Sequence, residues 1–222
     1  MDYQGPDRAD LTNVFVLNMA FIAWQRTRPL EAPRHGGMDP EIHTRFAALS
    51  SEQRERLARA PFLLMSLAED DEARWQSLFA EQQTRDLLQS VQIRDEAAAR
   101  LTAAALGFLW QLAQRNPYAA RLVSGASLTW CEQLAASTLM DLFARALEDP
   151  ALLAPRMAGN ACLWDKLLTA GVSNRRHLRL AARVAALQTV LTDAPVQPYR
   201  ALAAAACKMP PARTRTSGKR GR

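Results

Sequence analysis

Apolar residues recur along the chain at the spacing of an α-helix surface. The first strip of this kind consists of Val14, Leu17, Phe21 and Trp24. Steps of three and four residues place these side chains on one helix face. The pattern predicts a first helix over residues 11–27, with Asp10 as its N-cap. Asn18 falls between the strip and its flank, so a buried Asn18 needs hydrogen-bond partners.

The first predicted helix is apolar on almost every side, and two interpretations remain open. A helix without a clean polar strip is typical of the centre of a core. The alternative is a helix that binds a partner or a second copy of the chain. In that case Leu17, Phe21 and Ile22 form an apolar interface.

The same periodicity, with its capping and stop signals, predicts helices through most of the remaining chain. Five of these helices have predicted ranges, namely 41–49, 95–115, 127–148, 161–169 and 174–192. Two more are predicted by their starts: one is capped by Ser50 and Gln53, and the other follows the acidic run 69–72. The last of them has a strip of large apolar residues, namely Leu180, Val184, Leu187 and Leu191. We expect this strip to face the core.

Valine and isoleucine are scarce and no run alternates with the period of a strand, so the expected fold class is all-α. We expect one irregular helical bundle of about seven or eight helices over residues 1–207. A segment rich in proline and glycine, residues 29–40, crosses between helices, and a weak sub-boundary lies near 92–96. Residues 61–67 are either a kinked helix continuation or a separate buried turn.

Four consecutive acids, Glu69 to Glu72, precede one of the predicted helices. Free amides and the helix dipole favour negative charge at a helix N-terminus, which is the role we expect for this run.

Charge is concentrated at the C-terminus. The net charge of the chain is +6, and residues 208–222 supply all of it without a single acid. The basic residues of this tail are Lys208, Arg213, Arg215, Lys219, Arg220 and Arg222. The tail has almost nothing to bury, so we expect it to be disordered and to contact polyanions or an acidic partner. Residues 1–207 are then neutral, which argues against a nucleic-acid binder that is basic throughout.

Candidate chemistry is sparse along the chain. No phosphate-binding glycine loop, nucleophile elbow or zinc motif occurs, and Cys131, Cys162 and Cys207 are isolated. His35, Asp39 and His43 stand four residues apart, but Gly36, Gly37 and Pro40 disfavour the helix that would align them as ligands. We therefore assign no catalytic, cofactor or metal site. An α-helical enzyme with a dispersed site remains an alternative.

One segment resembles a DNA-binding motif. In residues 163–184, Ala170-Gly171-Val172-Ser173 is similar to the turn of a helix-turn-helix, in which serine caps the second helix. The arginines of the following helix are Arg175, Arg176, Arg179 and Arg183. Three positions depart from the motif. Leu167 stands where a small residue is usual, Lys166 where a buried residue is usual, and His177 where an apolar residue is usual. The same arginine face fits phosphates or an acidic protein partner.

The leading functional hypothesis is a non-catalytic adaptor or regulatory subunit. It binds another macromolecule, expected to be a protein with an acidic surface or a helix groove, through helix faces and the basic tail. A transcription regulator that uses residues 163–184 is the alternative, and a homodimer is compatible with either. The bias towards arginine and alanine suggests a bacterial genome. No signal peptide or membrane-length apolar run occurs, so we expect a soluble, cytoplasmic protein.

Removal of the basic tail tests the prediction that it does not pack against the folded part of the chain. Deleting residues 210–222 should leave the thermal unfolding midpoint of the protein nearly unchanged, because a segment with almost no apolar residues buries little. Differential scanning calorimetry of the full and truncated chains measures this. A midpoint that falls by several degrees would show that the tail is docked on the folded body.

Overall fold

A computed structural model describes residues 4–28, 38–80 and 95–192. Within these ranges the protein is all-α, as expected, but it has ten α-helices rather than about seven or eight, and a 3-10 turn at Pro150–Leu152. The helices are α1 (Arg8–Arg26), α2 (Pro40–Ala47), α3 (Ser51–Ala58), α4 (Glu72–Ala80), α5 (Glu96–Arg115), α6 (Pro117–Ser124), α7 (Leu128–Ala136), α8 (Leu139–Glu148), α9 (Ala161–Thr169) and α10 (Arg176–Thr192). The basic tail and most of the 29–40 segment lie outside the described residues.

Two strands of two residues each also form, which the sequence did not predict. β1 (Met65–Ser66) pairs with β2 (Ala154–Pro155) in antiparallel orientation. Residues 61–70 are therefore a separate, mostly buried segment of bends and turns around β1, rather than a continuation of α3 beyond its C-terminus.

The N-terminus of α1 lies three residues earlier than predicted. Asp7 is the N-cap, and its side chain accepts a hydrogen bond from the Asp10 amide at 2.8 Å. The Asp10 carboxylate accepts in return from the Asp7 amide at 3.0 Å, which completes a capping box. Asp10 also contacts Arg115 at 2.6 Å. Asp10 is thus not the cap but a buried link between α1 and α5.

The apolar strip of α1 lies in the core of the chain itself. Val14 and Phe21 are fully buried, and Leu17, Ile22 and Trp24 are nearly so. Leu17, Phe21 and Ile22, the residues named for an apolar interface, therefore offer no open surface in this structure. This arrangement corresponds to the core-helix interpretation of α1.

α5 is the central helix, and it contacts α1, α6, α7 and α8. Small residues let these neighbours come close. Ala98 and Ala105 are buried, and a Cβ added to Gly107 would lie 3.4 Å from the Phe143 ring. Residues on both sides of 92–96 contribute to one continuous hydrophobic core.

The single helix predicted over 127–148 is wrong, because α7 and α8 are separate helices. Ser137 is extended, and its carbonyl accepts a hydrogen bond from Trp110 Nε1 at 2.9 Å. Thr138 is the N-cap of α8 and accepts from the Asp141 amide at 3.1 Å. The sequence Thr-x-x-Asp is a capping signal, so this break could have been recognised. The short helix α6, opened by Pro117, was also missed.

Asn18 is fully buried, and its side-chain nitrogen and oxygen both form hydrogen bonds. Its amide donates to the carbonyls of Ala58 and Phe62, at 3.2 and 2.9 Å, and its side-chain oxygen accepts from the Leu64 amide at 2.8 Å. The expectation that a buried Asn18 needs partners is confirmed. Asn18 thereby ties α1 to the chain that leaves α3.

The guanidinium of Arg156 also holds this segment, through residues Leu63, Met65 and Glu69. Nε donates to the Leu63 carbonyl, Nη2 to the Met65 carbonyl and Nη1 to the Glu69 carboxylate, each at 2.6 Å. Both charged side chains are almost completely buried. The second oxygen of Glu69 accepts from the Leu67 amide at 2.6 Å. A buried ion pair with its remaining hydrogen bonds satisfied is the arrangement that offsets desolvation best.

This pairing corrects the predicted role of the acidic run. Glu69 does not lie at the N-terminus of α4 but is the buried partner of Arg156. Asp71 takes the expected role, since its carboxylate accepts from the Arg74 amide at 3.1 Å and its carbonyl from Trp75. The pKa of Asp70 is raised by burial and by the neighbouring Glu69 charge, and the Arg156 charge partly opposes this rise.

Loss of the Arg156 guanidinium should destabilise the fold strongly. We expect Arg156→Met to lower the free energy of unfolding by about 3–5 kcal/mol, because the Glu69 charge stays buried without a partner. Equilibrium urea unfolding at neutral pH measures this loss. Arg100→Met is the matched control, since it breaks the exposed Arg100–Glu96 pair and should cost less than about 1 kcal/mol. Equal losses for both variants would contradict the assigned role of Arg156.

Candidate binding groove between the first and last helices

The face of α10 that meets the core is not the one predicted. The buried residues of this helix are small or β-branched, namely Ala182, Ala186 and Val190. Two members of the predicted core strip face outwards instead: Leu180 is 61% exposed and Val184 is 59% exposed. Leu187 is partly buried. The alanines allow α10 to approach the core closely, and the larger apolar residues remain at the surface.

Gly125 is one reason for this orientation. It follows α6 with φ of +71°, a conformation that side chains other than glycine rarely adopt. A Cβ at this position would lie 2.5 Å from Val190 Cγ1 and 3.0 Å from Arg156 Nη1. The glycine therefore lets Val190 of α10 and the Arg156 guanidinium lie against the same turn.

An open groove of about 590 Å³ runs between α1 and α10. Leu11 and Phe15 line it from α1, while Leu180, Val184 and Leu187 line it from α10. The chain that leaves α3, at residues 60–61, contributes an alanine and a proline. Exposed apolar side chains gathered in one concave surface are a common feature of binding sites.

Three arginines rim the groove, and none of its lining residues is acidic. They are Arg8 of α1, Arg59 after α3 and Arg183 of α10. Within the described residues, none of the three has a carboxylate within 4 Å. Arg115, in contrast, lies 2.6 Å from the Asp10 carboxylate. The Arg59 guanidinium lies 5.3 Å from the centre of the Phe15 ring.

Arg183 is the most constrained of these cations. Its Nη2 donates to the Arg56 carbonyl at 2.8 Å, at the C-terminal end of α3. Burial lowers the pKa of Arg183, and the nearby positive charges of Arg179 and Arg59 lower it further. An arginine remains charged in proteins in spite of such a shift. Arg183 therefore lies close enough to Arg59 and Arg179 for their positive charges to repel, and a nearby carboxylate would relieve this repulsion.

The predicted arginine face of α10 is only partly exposed. Arg175 and Arg176 are exposed, whereas the Arg179 guanidinium turns back and donates to the Ser173 and Asn174 carbonyls, both at 2.8 Å. Arg183 faces the groove. The structure thus does not present Arg175 and Arg179 as two free cations on one face.

The turn between α9 and α10 differs in detail from the motif it resembles. α10 begins at Arg176, and the Ser173 hydroxyl accepts from the Arg175 amide, before the helix, rather than serving as its N-cap. Val172 is buried. A Cβ at Gly171 would overlap the Leu167 carbonyl, so close approach explains this glycine rather than a left-handed backbone.

The thiols divide by burial. Burial raises the pKa of Cys131 to about 12, with a smaller opposing effect from its hydrogen bond with Ser124. The thiolate is the reactive form, so this thiol is unreactive near neutral pH. Cys162 is exposed, and Cys207 and His35 lie outside the described residues. Among the residues that the structure describes, no group of three or more metal-ligating side chains forms.

Comparison with protein family models, with curated proteins and with solved structures gives no match. No helix of the described ranges is both long and apolar enough to cross a membrane. The basic residues predicted to contact a partner from the tail (Arg213, Arg215, Lys219, Arg220 and Arg222) lie outside the described residues.

Serine substitutions distinguish the two faces of α10. Val184→Ser should change the free energy of unfolding by less than about 0.5 kcal/mol, because the side chain is mostly in solvent. Val190→Ser should cost about 2 kcal/mol or more, since it leaves a cavity and a buried hydroxyl. Urea unfolding of both variants is the measurement. A large loss of unfolding free energy for Val184→Ser with little loss for Val190→Ser would show that the leucine-rich face of α10 packs against the core, as the sequence predicted.

Proposed function

We propose that this protein is a non-catalytic adaptor or regulatory subunit that binds a protein partner in the groove between α1 and α10. The observation that carries the proposal is the combination of exposed Leu180 and Val184 with three rim arginines that lack carboxylate partners among the described residues. Leaving apolar side chains in water is unfavourable, and a partner that covers them recovers that free energy. The sequence-based prediction of a bacterial, cytoplasmic location belongs to this proposal.

Interfaces commonly surround an apolar centre with a polar rim, and this groove has the same layout. Buried apolar contacts supply most of the affinity, whereas rim charges select the partner and accelerate encounter. In this proposal the basic tail adds long-range attraction to an acidic partner, which weakens as salt increases.

The transcription-regulator alternative has less support from the geometry. Arg175 and Arg176 are exposed and free to meet phosphates. The guanidinium of Arg179, in contrast, is bonded to backbone carbonyls of its own chain. A recognition helix needs several side chains that reach base edges together. DNA contact by residues 163–184 therefore stays a prediction, as does a dispersed enzymatic site.

Photocrosslinking from inside the groove tests the adaptor proposal. A photoreactive phenylalanine analogue at position 184, in cells that naturally produce the protein, should form a crosslink to one protein partner. The same analogue at position 188, which is exposed on α10 but does not line the groove, should not. The partner is then identified by mass spectrometry and purified.

Binding of the purified partner provides the decisive measurement. Val184→Glu should raise the dissociation constant for the purified partner by about tenfold or more, because a charged side chain replaces an apolar contact buried by the partner. Gln188→Glu adds the same charge outside the groove and should bind like the wild type. A partner that binds Val184→Glu as tightly as the wild type would refute the groove as the binding site.

A further inference from the structure

The shape of the groove indicates what kind of polypeptide it receives. Leu180, Val184 and Leu187 follow each other at intervals of four and three residues along α10, and Leu11 and Phe15 are four apart on α1. The strip on α10 spans about 10 Å at the helix rise of 1.5 Å per residue. An incoming helix would fill this length with apolar residues at i, i+4 and i+7, which is the usual pattern of helix-in-groove recognition.

The positions of the rim arginines specify charges on both flanks of that helix. Arg8 belongs to α1 and Arg183 to α10, whereas Arg59 follows α3 and its guanidinium lies over the Phe15 ring of α1. The Arg183 guanidinium already donates to the Arg56 carbonyl, so its position is fixed before binding. Preorganised guanidinium groups are well suited to carboxylate oxygens, which they bind through two N–H donors.

The same charges disfavour a second copy of this chain and its own basic tail as occupants. A second copy docked face to face would bring the rim arginines of one protomer towards those of the other. The tail from residue 208 to 222 carries six positive charges and no acid, so it would be repelled by the rim. Charge complementarity therefore favours an acidic occupant over either of these.

We propose that the groove binds a short amphipathic α-helix of a partner protein, with an apolar strip of about two turns and Asp or Glu residues on both of its flanks. This inference rests on the proposed adaptor function and adds the structure and charge of the bound segment. The Leu and Val side chains of α10 pack against the strip, and the three arginines meet the flanking carboxylates.

Three stapled helical peptides of about four turns test the proposal with the full chain. The first has Leu at i, i+4 and i+7 with Glu on both flanks. The second replaces each Glu with Lys, and the third has the composition of the first in scrambled order. The scrambled peptide controls for attraction by the basic tail, because it carries the same charge. Fluorescence anisotropy should show the first peptide binding about tenfold or more tightly than either control.

A charge reversal at the rim supplies the matched protein variants. Arg59→Glu with Arg183→Glu should lose the preference for the acidic peptide and gain affinity for the Lys peptide. The control, Arg26→Glu with Arg121→Glu, changes two exposed arginines outside the groove and keeps the wild-type preference at the same net charge. If the charge reversal impairs folding, Val184→Glu is the alternative variant, because Val184 is exposed and its substitution should leave the fold intact. It should also lose the acidic peptide.

The outcomes separate this inference from the adaptor proposal. Equal binding of the ordered and scrambled acidic peptides would overturn the helix proposal, even where the crosslinked partner still depends on Val184. The adaptor function would then stand with a different binding mode. Concentration-dependent dimerisation of the wild type that Val184→Glu abolishes would also overturn it, because a second copy would then occupy the groove.

Discussion

The buried guanidinium of Arg156 determines where the helices around it can lie. It fixes the segment between α3 and α4 through two backbone carbonyls and Glu69. Its own carbonyl accepts from Trp164 Nε1 at 2.9 Å, which places α9 against the same residue. Burying an arginine is costly unless its nitrogens find acceptors, and all three nitrogens of Arg156 donate here, so the surrounding backbone has little freedom to rearrange.

The position of α10, and with it the groove, follows from this arrangement. The turn at Gly125 lies against both Arg156 and Val190, so α10 approaches the core through its valine and alanines. The larger residues Leu180 and Val184 are displaced to the surface. Arg183 then reaches the C-terminal end of α3, where carbonyl dipoles favour a cation. A binding surface thus arises from the packing of small residues elsewhere on the same helix.

Local patterns predicted much of the fold. The strip of α1, the need for partners at Asn18 and the capping box of α3 depend on residues close in sequence, and all three are confirmed. The Arg156–Glu69 pair joins residues 87 positions apart, which no local pattern reveals. A two-residue strand pair of similar separation was missed for the same reason.

The groove was missed because α10 has two apolar faces. One contains leucines and the other alanines with Val190, and bulk alone favoured the leucines as the core face. A signal against this interpretation was present in the sequence. Arg183 directly precedes Val184, and Arg179 precedes Leu180, so cations flank the leucine-rich strip. Long cationic side chains beside an apolar strip are typical of an exposed or interfacial helix face.

Solvent exposure of individual methyl groups tests the central claim most directly. In methyl-labelled protein, a soluble paramagnetic agent broadens the NMR signals of side chains that water can reach. This account predicts strong broadening at Leu180 and Val184 and protection at Val190, measured in the same sample. Protection of Leu180 and Val184 equal to that of Val190 would contradict it, since the groove would then be filled or absent in the free protein.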